Sequence, residues 1–319
     1  MIRRILLRIL LAIPVTLCAS IAVFFLLELA PGDPFQYSDT TDAPPDAVEL
    51  QKKHFGYGDP LHVRLGRWIY CTLTFDFGTS VLERRPVRDI AFETLPYTLC
   101  LSGLALVFGT LLGITIAMIC ARRVGGWVDS ILSSVSIFIV GIPLFWSATW
   151  AAGWVGVEWQ WLPPGGALSV RSMTQPGFHL WDRIVHLIMP AGILILLTAA
   201  VMARFTRASL AVTLQMEFIR AARARGASRT RVLWRHALPA SVHSTIAYLG
   251  LSIPWLAGGF VIIETVFNYP GTGLLLVKAM NTRDYPVACA GVVILSFLAI
   301  LGNAVADAVA QWLDPRVEN

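Results

Sequence analysis

Residues Glu217–Ser241 read EFIRAARARGASRTRVLWRHALPAS, with six arginines against one acid, Glu217, and long apolar runs on both sides. EFIRAARAR is rich in strong helix formers, and Gly226 is a natural stop. Ser228 can cap a second helix, RTRVLWRHA, which is expected to end before Pro239. The stretch predicts two short helices of about 10 residues, roughly 15 Å each, joined by a tight bend at Gly226. Ala221, Ala222, Ala224 and Gly226 are small enough for another backbone to come close, and Val232, Leu233 and Trp234 offer apolar anchors. A charged loop drawn to anionic lipid would account for the arginines. It would not account for a small-residue helix, a glycine break, a second helix and a proline in that order. A basic amphipathic helix also suits a calmodulin-type target or a nucleic-acid patch, but a loop tied at both ends to membrane helices is an unusual place for either.

The rest of the chain supplies the solvent. Of its 319 residues 56% are hydrophobic and 14% charged, and the mean hydropathy is +0.65. A soluble domain spends about a quarter of its residues on charge, so lipid explains the composition better than a large core does. The net charge of +5 follows the loops and does not mark a nucleic-acid surface. Cys18, Cys71, Cys100, Cys120 and Cys289 are scattered with no CxxC pair and read as small buried hydrophobes, not as a disulfide framework or zinc site.

Apolar runs long enough to cross a bilayer fall at 9–30, 97–120, 130–157, 186–206, 243–267 and 286–310. The first is longer than the ~7–15 residues of a signal peptide's apolar region and is read as a retained helix. No barrel-type alternation is present. If Arg3, Arg4 and Arg8 are cytoplasmic, so are Arg122 and Arg123. The segment 204–240 then follows, with eight arginines against Glu217. The opposite loops hold only Arg171 and Arg183, and Lys278 and Arg283. The positive-inside rule therefore predicts six spans with both ends cytoplasmic. The first external loop, 31–96, has seven basic and ten acidic residues; at that length its charge carries little topological information. Three segments are expected: residues 1–30 with the first span, an extracytoplasmic region 31–96, and a five-helix core 97–319 with a cytoplasmic coupling loop at 207–241. The external tryptophans Trp68, Trp159, Trp161 and Trp181, with Tyr70, suit the membrane interface.

These motifs resemble those of ABC importer permeases, whose cytoplasmic loop reads Glu-Ala-Ala, three residues, Gly, nine residues, then Ile-x-Leu-Pro. Ala221, Ala222, Gly226, Leu238 and Pro239 occupy matching positions. Arg220 stands for Glu and His236 for Ile, as in the variant of the peptide and nickel branch. Further matches run along nearly the whole chain: PGDP (31–34), FGYGDPLHVRLGRW (55–68), FDFGTSV (75–81), RPV (85–87), LPYTLCL (95–101), GIPLFW (141–146), WLPPGG (161–166), ETVFNYPGTG (264–273), RDYPV (283–287) and LDPR (313–316). The long first external loop resembles the first, B-type permease subunit of that dipeptide/oligopeptide/nickel family.

The resemblance implies an all-α polytopic membrane protein with the type I ABC importer permease fold, placed in a bacterial inner membrane. It also implies a second homologous permease, two ABC ATPase subunits and an extracytoplasmic substrate-binding protein as partners. The chain would form half of the channel, the helix pair 217–239 would couple to an ATPase, and ATP and Mg would sit on partner subunits, this chain binding no cofactor. Gly226 would set the bend, Ala221 and Ala222 the close contact, and Arg223, Arg225 and Arg235 the polar rim, with Arg220, His236, Leu238 and Pro239 completing the pattern; binding of lipid phosphate is the alternative for Arg223 and Arg225. Peptides are the first expectation for cargo and nickel or metal chelates the second.

No catalytic constellation accompanies these motifs. GTGLLLVK lacks the glycine before lysine that a P-loop needs, HExxH and GxSxG are absent, and the six histidines lack metal-ligand spacing. Glu264 and Asp307 are acids within spans, which raises a proton-coupled secondary transporter as the alternative. Such carriers usually show internal repeats, and none is visible here. Pro143, Phe145, Pro254, Gly258, Gly259 and Glu264 are the candidates for lining a path, because Pro and Gly interrupt membrane helices where backbone meets a cavity; Gly258 and Gly259 equally suit helix packing.

Overall fold

The computed structural model describes residues 2–29, 58–80, 82–174, 179–241, 245, 259–282 and 284–313. Those residues are mostly helical, and the one strand-like pairing among them is an isolated antiparallel bridge between Thr79 and Pro86. Hydrocarbon demands this economy, since a helix satisfies its interior backbone groups without outside partners.

The elements are α1 (Ile2–Leu29), α2 (Leu61–Thr74), α3 (Val87–Ala121), α4 (Trp127–Gly141) and α5 (Leu144–Ala151), which continues as a π-helix (Ala152–Glu158). Then come α6 (Val170–Thr174), α7 (Leu180–Thr213), α8 (Glu217–Ala224) and α9 (Arg229–Arg231), the last running into a second π segment (Val232–Ala237). Two more follow, α10 (Thr272–Asn281) and α11 (Tyr285–Leu313).

Among the described residues three helices are long and apolar enough to cross a membrane: Val87–Ala121, Leu180–Thr213 and Pro286–Ala304. They contain most of the runs expected at 97–120, 186–206 and 286–310. The run at 130–157 is not one continuous helix. It is a pair, Trp127–Gly141 and Leu144–Glu158, bent by 93°. Pro143 is the cause: its ring pushes the preceding residue out of the helical region, and Ile142 is extended at φ −79, ψ 128. In α1 the apolar stretch is shorter, Thr16–Leu26. Most of the run at 243–267 lies outside the described residues.

Contacts divide the chain into two compact units, Met1–Leu99 with Phe260–Leu301, and Cys100–Gly259 with Gly302–Asn319. In the first, Phe24, Trp68, Phe77, Val87 and Val293 belong to one buried cluster. Trp68 donates its indole N–H to Ser20 Oγ at 2.8 Å, and Ser20 meets the Thr72 hydroxyl at 2.9 Å. Arg64 forks onto the Glu28 carboxylate with two donors at 2.8 and 2.7 Å. The external region expected as loop thus carries an ordered helix, α2, pinned to α1. Burial pushes the Cys71 thiol up. Cys71, Cys120 and Cys289 are buried as expected, whereas Cys18 and Cys100 are exposed.

In the second unit α3 and α7 approach closely at two glycines one turn apart. A Cβ on Gly109 would lie 2.6 Å from Thr198 Cβ, and one on Gly113 would lie 2.6 Å from Met202 Cβ. Small residues at i and i+4 let membrane helices pack where no hydrophobic effect drives them together. Four tryptophans also stack in sequence there: Trp150 on Trp154 at 6.4 Å, Trp154 on Trp159 at 6.4 Å, and Trp159 on Trp161 at 4.7 Å.

Candidate functional site: the bent helix pair

Helix α8 ends in a Schellman closure. Gly226 sits at φ +85, its N–H reaches Arg223 O at 2.9 Å, and Ala227 N–H reaches back to Ala222 O at 3.2 Å. Those are the 5→2 and 6→1 bonds that a left-handed residue after a helix makes, and glycine takes that conformation without a Cβ penalty. A Cβ on Gly226 would meet nothing within 4 Å, so backbone angle and not space selects glycine. Ser228 then caps the second helix, its Oγ accepting from Arg231 N–H at 3.3 Å.

The second helix does not end before Pro239. It stays helical through 241, preceded by the wide π turn Val232–Ala237. A proline ring clashes with the carbonyl four residues back in a regular helix, and a π turn takes that carbonyl out of the regular register.

One face of the pair is apolar and seated. Ile219, Val232, Leu233 and Ala237 are buried in one cluster with Ala117, Met118, Ala121 and Leu210 from the ends of α3 and α7. Ala222 is buried at 3% exposure, while Ala221, the next residue, faces out. The two alanines expected to share one contact therefore face different surroundings. Ala222 packs within this chain and Ala221 is open to a partner. Arg220, Arg223, Arg225, Gly226, Arg235 and Pro239 are exposed, His236 and Leu238 are half-buried, and Leu238 packs against the cluster. Trp234, expected as an apolar anchor, is 54% exposed.

Electrostatics at this end come from a surplus of cations. Arg207 is neutralised by buried Asp129, which also accepts Gly125 N–H at 2.8 Å. Among the described residues none of Arg220, Arg223, Arg225, Arg229, Arg231 and Arg235 forms an ion pair.

The path-lining candidates separate. Pro143 and Phe145 are exposed beside the bend of the broken span. Gly259 is buried, with a Cβ position 3.2 Å from Leu144, and so has the packing surroundings of the alternative reading. Pro254 and Gly258 lie outside the described residues, as does the side chain of Asp307. Glu264, also a path-lining candidate, is fully buried. Its Oε2 accepts Gly273 N–H at 2.7 Å and Leu274 N–H at 3.1 Å, and its Oε1 accepts the Thr98 hydroxyl at 2.7 Å. It caps the start of α10, where a negative group meets unpaired N–H donors and the positive end of the helix. Thr98 in turn accepts Thr272 N–H at 2.8 Å. Sequence reasoning missed this knot and the Asp129–Arg207 pair because their members lie 166 and 78 residues apart; PGTG after ETVFNY was the one local sign of a new helix start.

Residues 113–319 match the model of the family described as binding-protein-dependent transport system inner membrane component. The chain is 33% identical over 313 residues to the oligopeptide transport system permease protein AppB of Bacillus subtilis, covering 98% of each chain. It is 34% identical over 318 residues to the glutathione transport system permease protein GsiC of Salmonella paratyphi A, covering 99% of each. It is 29% identical over 325 residues to the dipeptide transport system permease protein DppB of Alkalihalophilus pseudofirmus, covering 98% of each. The family model spans the later motifs and the relatives nearly the whole chain, and the chain belongs to the family of binding-protein-dependent transport system inner membrane components, the permeases of ABC importers.

Proposed function

We propose that this chain is the membrane subunit of an ATP-driven peptide importer, with six spans, both ends cytoplasmic and a place in the bacterial inner membrane. It forms half of a translocation channel with a second homologous permease, takes cargo from an extracytoplasmic binding protein, and is driven by two ATPase subunits that carry ATP and Mg. The similar chains bear oligopeptide, dipeptide and glutathione in their names. That supports a peptide as cargo over nickel or a metal chelate.

The observation that carries the reading is the division of faces on the bent pair. Its apolar face is seated on the ends of α3 and α7, while Ala221 and the rim Arg220, Arg225 and Arg235 are open. Helix-in-groove recognition uses such an outward face. Closure of the ATPases on ATP would push the pair, and the seated face would carry that displacement to α3 and α7. Gly226 holds the bend, and His236, Leu238 and Pro239 lead the chain back toward the membrane. Arg223 has a different setting, taken up below. Of the two acids that raise the proton-coupled alternative, Glu264 is enclosed by three donors, and the side chain of Asp307 lies outside the described residues.

Cross-linking tests the docking. Ala221→Cys, in the complex purified with its ATPase, is expected to cross-link to that subunit with a short bifunctional thiol reagent, and more so with ATP bound. Cross-linking no greater than that of a cysteine on the opposite side of the membrane, such as Tyr70→Cys, contradicts it.

A further inference from the structure

The ends of α3 and α7 and the bent helix pair line a half-open cavity of about 380 Å³. Its walls include Val124, Leu214 and Leu233, and three arginines reach it from separate stretches: Arg123 after α3, Arg223 on α8 and Arg229 at the start of the second helix. The fold brings them together, since Arg123 and Arg223 are 100 residues apart. Among the described residues none of the three has an ion pair. Among the described residues the acids of this unit do not answer them: Asp129 is held by Arg207 and Gly125, Asp182 by Ser169, and Glu158 and Glu217 are exposed and form no ion pair. Three like charges around one space repel unless an anion joins them.

Chemistry and size narrow the anion. The arginine fork matches phosphate oxygens two at a time. The volume is that of a small-molecule site, larger than a single ion requires, and apolar walls beside a cationic rim suit an amphipathic ligand. The level along the chain agrees: α3 carries no charge from Thr94 to Ala121, and Arg122 and Arg123 come immediately after. First charges after an apolar span mark the headgroup layer, and basic clusters there are drawn to anionic lipid.

We propose that this cavity seats the phosphate headgroup of an anionic phospholipid from the cytoplasmic leaflet, held by Arg123, Arg223 and Arg229 against the coupling helices. The proposal rests on the cytoplasmic placement of this end given above, and it assigns Arg223 to lipid in place of the docking rim. A lipid there braces the helix pair beside its direct apolar contact with the span ends, so part of the link between them depends on headgroup charge.

The test uses the full chain with its co-purifying subunits in detergent, with thermal melting followed as phosphatidylglycerol, phosphatidylcholine or inorganic phosphate is added. Phosphatidylglycerol is expected to raise the Tm, and the other two to leave it unchanged. Each of Arg123→Gln, Arg223→Gln and Arg229→Gln is expected to weaken the apparent lipid affinity about fivefold. The triple glutamine variant should lose the response, the triple lysine variant should keep part of it, and Arg171→Gln on the opposite side should respond as the parent does. A phosphatidylglycerol response unchanged in the single and triple glutamine variants overturns the proposal. So does an equal response to inorganic phosphate, which gives the cavity to a soluble anion. A triple glutamine variant that keeps its lipid response but loses the ATPase subunit also overturns it and gives the cavity to an acidic side chain of that partner. ATP hydrolysis is read on the parent complex: hydrolysis that does not respond to substrate or binding protein, in a parent that still responds to phosphatidylglycerol, counts against the docking role of the helix pair and leaves the lipid seat standing.

Discussion

Arg207 holds Asp129 with two donors, Nε on Oδ1 at 2.5 Å and Nη2 on Oδ2 at 2.7 Å. Asp129 opens α4 and is 1% exposed, and Arg207 lies in the last two turns of α7. The pair fastens the two helices just before the chain enters the bent helix pair. A two-donor fork of this kind fixes geometry as well as charge.

Removing one partner of this pair is expected to destabilise the protein. Asp129→Asn should cost about 1–3 kcal/mol, less than for a wholly buried pair because the Arg207 side chain is 34% exposed and can reach water. Thermal unfolding in detergent checks it. The double variant Asp129→Asn/Arg207→Gln should fall short of the sum of the singles, because both remove the same interaction.

The Glu264 knot makes a second expectation. Glu264→Leu removes both acceptor oxygens from the start of α10, and should cost about 1–3 kcal/mol. Gly271→Ala should be comparably harmful, since its Cβ would run into the Glu264 carboxyl group; overpacking of this kind costs about 1–3 kcal/mol. Hydrogen exchange of the amides of Gly273 and Leu274 is the local readout. Both should lose protection in Glu264→Leu, and unchanged protection would remove the capping role.

Gly226 carries the bend. Its φ of +85 predicts that Gly226→Ala costs about 1–2 kcal/mol of backbone strain. Gly226→Pro cannot hold that angle at all. It is expected to insert in the membrane at normal levels while substrate-stimulated ATP hydrolysis by the complex is lost. Immunoblotting of membranes and a phosphate-release assay read the two halves of that expectation.

Local signals carried the sequence reading where one residue decides local geometry. Gly226 and Ser228 marked a helix end and a helix start, and both act as such. Pro143 was noted as an interruption, but a proline does not say how far a helix turns, so the 93° bend was not legible. The π turn that admits Pro239 depends on how Val232, Leu233 and Ala237 seat on α3 and α7, which no window of sequence contains. Ala221 and Ala222 look alike in sequence, and only the packing separates an inward from an outward residue. Gly109 and Gly113 form GTLLG, a spacing that signals close helix approach and is legible in the sequence, and it is these glycines that meet Thr198 and Met202.

The central claim is that this chain moves peptide only when an ATPase drives its helix pair. Uptake of labelled peptide into proteoliposomes measures it most directly, with the chain reconstituted alone or with its permease partner, ATPases and binding protein. ATP-dependent accumulation by the full complex, none by the chain alone, and none by the complex carrying Gly226→Pro is the predicted result. Accumulation by the chain alone under a proton gradient, without ATP, would contradict it.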